Sequence, residues 1–132
     1  MTTIPSRLAR ATRASISAAD ARHRAIQLYR DWYRSAPDIV ELYGLNVSPT
    51  HIRNAIRQRF ERNRHVTDPR AIDVLLLKER QEYQETMNCW KQLDHIMGVL
   101  LKPQTQPQKT FLQRFYEGRD EQQALPAASG VH

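Results

Sequence analysis

The chain has 132 residues, one cysteine, four glycines and a formal charge of +6, with 40% hydrophobic and 26% charged residues. That length fits one domain with a usable core. A single cysteine excludes an internal disulfide framework, and scarce glycine argues against a turn-rich all-β fold. No stretch approaches the roughly 18 apolar residues of a membrane span; the longest apolar run is Val74 to Leu77. The positive charge requires an anionic neighbour, and nucleic acid, a membrane surface and an acidic protein all satisfy it.

In chain order, the first nineteen residues carry Arg7, Arg10 and Arg13, six Ser or Thr, and no acid. A mitochondrial presequence has this composition, and so does a plain flexible basic terminus. Residues 1–16 are therefore set apart from a helical domain at 17–101 and a tail at 102–132. Ser17 with Asp20 three residues on reads as a capping box, opening a first helix whose stripe is Ala25, Leu28 and Trp32, with Tyr29 and Tyr33 beside it. Pro37 is expected to close this helix at or just before Ala36.

After a loop containing Gly44, Ser48-Pro49 reads as an N-cap with proline at the first helical position. The second helix is predicted from Pro49 to about Arg64, with Ile52, Ile56 and Phe60 on one face and Arg53, Arg57, Arg59, Arg62 and Arg64 around the rest. Thr67-Asp68-Pro69 starts a third. A seam through Ile72, Leu76, Tyr83, Met87, Trp90, Leu93, Met97 and Leu100 predicts one long helix from Pro69 to Leu101, near 50 Å at about 1.5 Å per residue. Pro103 and Pro107 then mark an extended linker. Phe111, Phe115 and Tyr116 fall within six residues and fit either a short anchor for a neighbouring protein or a turn back onto this chain. The last residues, 122–132, read as disordered. The fold class is all-α, a three-helix bundle with a long third helix and an extended C-terminal tail.

The catalytic reading is weak, since no pair of carboxylates is isolated in an apolar setting that would tune acid–base chemistry. No two histidines lie at i, i+4 with a carboxylate partner, so no metal is expected. The glycines are scattered, which leaves no phosphate loop. Cys89 beside Trp90 reads as a packed thiol in mid-helix. The arginines of the second helix suit phosphates or carboxylates, but Asn54, Gln58 and Asn63 form no compact base-reading set.

Leu28-Tyr29-Arg30 sits on the first of three helices, Phe60 on the second, and longer strings follow: LYRDWYRSAP, RHVTDPRAIDVLLLK, CWKQLDHIM and FLQRFYEGRD. Together, from about Arg22 to Asp120, they resemble the LYR-motif family of mitochondrial adaptors. The resemblance implies a three-helix cradle for the acidic mitochondrial acyl carrier protein, whose acyl-phosphopantetheine would be the only cofactor and comes with the partner. It further implies a non-catalytic accessory subunit of the matrix arm of respiratory complex I, touching its core subunits, peripheral to the inner membrane on the matrix side. Tyr29, Arg30, Arg34, Arg53, Arg57 and Lys78 are then expected to meet the carrier and its phosphate. Leu28, Trp32, Ile56, Phe60 and Leu76 would wall the acyl tunnel, and Phe111, Phe115 and Tyr116 would dock on core subunits. Two other readings remain: a family assembly factor for iron–sulfur protein maturation, and a basic helical nucleic-acid-binding protein.

Overall fold

The computed structural model describes residues 8–100 and 109–117. Residues 1–7, the stretch 101–108 with the expected proline linker, and the tail from 118 lie outside it. The chain divides into two units, Met1–Lys102 and Pro103–His132. In the first, α1 spans Ala18–Tyr43, α2 Pro49–Arg62, α3 Pro69–Met87, and α4 Leu93–His95, which passes into a π turn at Ile96–Leu100. In the second, α5 spans Phe111–Glu117. No strand occurs among the described residues. The first unit is thus an all-α bundle in which α2 and α3 both pack on α1.

The helix starts follow from local chemistry. The Ser17, Ser48 and Asp68 side chains accept from the backbone N–H of Asp20, His51 and Arg70, and proline occupies the first turn of α2 and α3. In α5, Thr110 and Gln113 cap each other, each side-chain oxygen accepting from the other's N–H.

Pro37 does not end α1, contrary to expectation: the helix continues through it to Tyr43. Proline lacks the N–H that would bond the carbonyl four residues back, which belongs to Tyr33. Arg53 Nε of α2 donates to that carbonyl at 3.2 Å, and the same guanidinium lies 4.5 Å from the centre of the Tyr33 ring. A tertiary donor therefore replaces the missing backbone one. The helix ends instead at Gly44, left-handed at φ 59°, where Gly44 N bonds Glu41 O and Leu45 N bonds Val40 O. This paired closure satisfies two orphan carbonyls and turns Leu45 into the core.

The expected long third helix also stops short. Past Met87, the chain closes with Cys89 N on Thr86 O and Trp90 N on Glu85 O, Cys89 taking the left-handed position at φ 58°. Cys89 is exposed at this corner rather than packed in mid-helix. Lys91 then pairs with Glu82, fastening the chain after the corner to α3. The break changes which residues face inward. On an unbroken helix Ile96 would stand about 200° from Leu76, on the outside, with Trp90 and Met97 within about 60° of it. Instead Ile96 is buried, while Trp90 is 74% exposed and Leu93 and Met97 are exposed too. The π turn at Ile96–Leu100 packs back against α2.

The core joins Leu28, Trp32, Ala36, Ile39, Leu45, Ile52, Ile56, Leu76, Tyr83, Met87 and Ile96. Trp32 is fully buried and meets Tyr83 edge-on at 5.1 Å. The half of α1 beyond Ala36 is tied to α3 by Tyr43, whose hydroxyl donates to Thr86 O at 2.8 Å. Just before the proline, buried Ser35 bonds the Tyr83 hydroxyl at 2.7 Å.

Two stability outcomes follow from these closures. Arg53→Ala should cost about 1–2 kcal/mol, for one hydrogen bond and one cation–π contact. In a Pro37→Ala background the loss should shrink, since the alanine restores a backbone N–H that can bond Tyr33 O; urea unfolding of the four proteins measures the coupling. Cys89→Gly should raise the unfolding free energy by up to about 1 kcal/mol, read as a higher urea midpoint, because glycine takes the left-handed position without Cβ strain.

Candidate functional site

The structure separates the sequence-predicted residues into three places. Leu28, Trp32, Ile56 and Leu76 lie in the core, at 7% exposure or less, and Phe60 packs against them. All five thus fill the closed bundle. The indole N–H of Trp32 has no acceptor among the described residues, so its burial rests on the ring's apolar area.

The second place is the face formed by α1 and α2. Tyr29 is half-buried, with Phe60 edge-on at 5.3 Å and Tyr33 at 6.1 Å. Arg53 covers Tyr33. Arg57 is exposed and pairs with Glu61 at 2.9 Å; that hydrogen bond first, then the Glu61 charge, raises its pKa, with a smaller contribution from Tyr29. Arg30 and Arg34 are exposed on the outer side of α1 and carry no ion pair among the described residues. Aromatic rings set among guanidinium groups can receive an anion and stack against an apolar stem. Lys78 does not join them: it is exposed on α3, about 200° from Leu76.

The third place is α5, where Phe111 and Phe115 stack at 6.2 Å and Tyr116 meets Phe115 edge-on at 5.9 Å. All three are exposed.

Sequence reasoning missed the polar seam between α1 and α3. Arg24 pairs with Asp73 at 2.9 Å and Arg80 with Asp31 at 3.2 Å, while Arg59 of α2 reaches Glu79 of α3 at 3.1 Å. Residues 8–16, expected to be a flexible terminus, run irregularly along this seam. Ser15 N donates to Asp73 at 2.8 Å and its hydroxyl bonds the same carboxylate. Arg13 forks onto Asp20 at 2.8 and 2.9 Å, and Gln84 donates to Leu8 O at 2.7 Å. These partners lie up to 76 positions apart, beyond any local pattern. Among the described residues no group of His, Cys, Asp or Glu could hold a metal, and no helix is long and apolar enough to cross a membrane.

Residues 25–117 match the sequence profile of the Complex1_LYR-like family. The chain is 33% identical over 113 residues to the NADH dehydrogenase [ubiquinone] 1 alpha subcomplex subunit 6 of Arabidopsis thaliana, covering 77% of this chain and 85% of the relative. It is 29% identical over 93 residues to the protein of the same name in Dictyostelium discoideum, covering 70% and 73% respectively.

The N-terminal contacts set a pH dependence. The Arg13 hydrogen bond first, then the Ile16 N–H, hold Asp20 down to about 2. The Ser15 hydroxyl and then its N–H keep Asp73 below the usual carboxylate range. Both folded values lie below the unfolded one, so the stabilisation is complete above about pH 4 and is lost as pH falls towards 2. The Ile16 amide resonance should therefore titrate with a midpoint near pH 2, and the Ser15 amide with a midpoint below the ordinary aspartate value. Midpoints at the ordinary aspartate value would count against these contacts.

Proposed function

The chain belongs to the Complex1_LYR-like family, and on that premise we propose that it is a non-catalytic accessory subunit of mitochondrial NADH:ubiquinone oxidoreductase. In this reading it sits on the matrix side of the inner membrane and anchors the acylated mitochondrial acyl carrier protein near the quinone-reducing region. The observation that carries the first part is similarity over most of the chain to two proteins that share one subunit name.

The carrier reading is supported by where the LYR residues stand. Leu28 faces the core, Tyr29 lies on the α1–α2 face, and Arg30 points outward with Arg34 one turn on. An acidic carrier meets Arg30, Arg34 and Arg57 from outside, and these charges steer and orient it. Arg53 is the weaker contact, because it already serves Tyr33; Lys78 stands apart on α3. The acyl chain supplied with phosphopantetheine enters between the helices, parting Leu28, Trp32, Ile56, Phe60 and Leu76. Burying it contributes about 0.8 kcal/mol per CH₂, less the cost of opening the packed core. Phe111 and Phe115 share one face of α5 and, with Tyr116, dock on a core subunit.

Co-expression with the acyl carrier protein followed by native mass spectrometry tests the carrier reading. The expected species is a one-to-one complex carrying the acyl-phosphopantetheine mass, at least tenfold weaker with unacylated carrier and lost on combining Tyr29→Ala with Arg30→Ala. Equal binding of acylated and unacylated carrier would remove the acyl chain from the mechanism.

A further inference from the structure

Residues 8–16 form an irregular strap along α1 and α3, fastened by hydrogen bonds and ion pairs. Its larger apolar side chains, Leu8 and Ile16, are both exposed, Ile16 at 91%. Little apolar burial holds the strap, so it opens locally at small cost. Its tightest fastening is Ser15. The N–H and the hydroxyl of Ser15 donate to the two oxygens of Asp73 on α3, and the hydroxyl oxygen accepts from Arg24 Nη1 at 2.7 Å. The same Nη1 also donates to Asp73 at 2.9 Å.

Arg13 and Arg10 stand two and five positions before Ser15, and each side chain is more than half exposed. A hydroxyl in irregular chain behind exposed arginines has the charge pattern that an arginine-directed protein kinase reads. A phosphate at this hydroxyl would act directly on the fastening. It brings about −1.5 to −2 charges and removes the proton that Ser15 donates. The oxygen it would occupy touches Asp73, whose pKa lies below the usual carboxylate range and which is therefore charged at neutral pH. The one guanidinium in contact, Arg24, is already engaged by Asp73. Thr12 follows Arg10 at the same spacing, but it has no part in the Asp73 fastening.

We propose that Ser15 is a phosphorylation site for an arginine-directed kinase, and that its modification releases residues 8–16 from α3. In the reaction the Ser15 oxygen attacks the γ-phosphorus of a nucleoside triphosphate. The new O–P bond replaces the bond to the bridging oxygen, the nucleoside diphosphate leaves, and the hydroxyl proton passes to the kinase's carboxylate base. Phosphate and Asp73 then repel each other across what was a hydrogen bond, and the Ser15 N–H loses its acceptor as the strap lifts. Arg13 stays on Asp20 of its own helix start, so α1 keeps its first turn while the contacts to Asp73 and Gln84 are given up. The site does not rest on the carrier reading, and either can fail without the other.

The test treats the full chain with magnesium ATP and the catalytic subunit of cAMP-dependent protein kinase, and locates the phosphate by peptide mass spectrometry. Strap release is read from hydrogen exchange at the Ser15 amide and from trypsin cleavage after Arg10. Phosphate on Ser15 is expected, with both rates at least tenfold faster in the modified chain and unchanged circular dichroism. Kinase treatment of Ser15→Ala should leave both rates as they were. Asp73→Ala, which loosens the strap in advance, should speed modification of Ser15 at least threefold. Phosphate on Thr12 or Ser17 alone, no modification of Ser15 in either the natural chain or Asp73→Ala, or a phosphorylated Ser15 whose amide exchanges no faster would each overturn the proposal. The exchange measurement is made on the natural sequence, so it decides the matter even if a variant does not fold.

Discussion

Pro37 deprives the middle of α1 of one backbone donor, and Arg53 of α2 supplies a side-chain donor in its place. Much of the bundle depends on that exchange. Because α1 survives the proline, Ile39 reaches the core and Tyr43 reaches the end of α3, and the chain then turns at Gly44 to bury Leu45. A helix ending at Ala36 would leave the lower part of α3 without these partners. The same contact draws α2 against the face of α1 that carries Tyr29 and Tyr33, so the aromatic and basic face is a consequence of how the proline is accommodated.

The distribution of charge separates two sides of α1. Towards α3, the arginines are consumed internally: Arg24 and Arg80 face Asp73 and Asp31, and the N-terminal segment brings Arg13 to Asp20. These part-buried pairs set geometry more than they add stability, since desolvation offsets much of their attraction. On the outer side, Arg30 and Arg34 remain unpaired among the described residues. A net charge of +6 spread evenly would attract any polyanion. Internal pairing on one side leaves the other as the place where an acidic surface can form its own salt bridges.

The corner after α3 shows a related economy. An uninterrupted helix would have presented Trp90 and Met97 to the core and turned Ile96 out. The left-handed Cys89 reverses this, so that the smaller Ile96 is enclosed and the larger side chains lie exposed. Seen along the sequence, the seam of threes and fours runs from Tyr83 through the corner to Leu100 without a gap. Periodicity reports what a helix could bury and carries no information on whether a non-glycine residue will accept a left-handed conformation to end it.

The sequence alone determined the starts of α1, α2 and α3, because a cap is a bond between residues two or three positions apart: Ser17, and Ser48 and Asp68 with their prolines, are complete local instructions. It determined the core faces of α1 and α2 through Leu28, Trp32, Ile52 and Ile56, and it contained the Leu28-Tyr29-Arg30 signature of the family. Tertiary structure alone decided that α1 runs on through Pro37, since Arg53 lies 20 positions from the carbonyl it satisfies. It alone assembled the α1–α3 seam, where Ser15 meets Asp73 across 58 positions and Arg80 meets Asp31 across 49. Such pairs depend on the packing of whole helices, and no window of local sequence contains both partners.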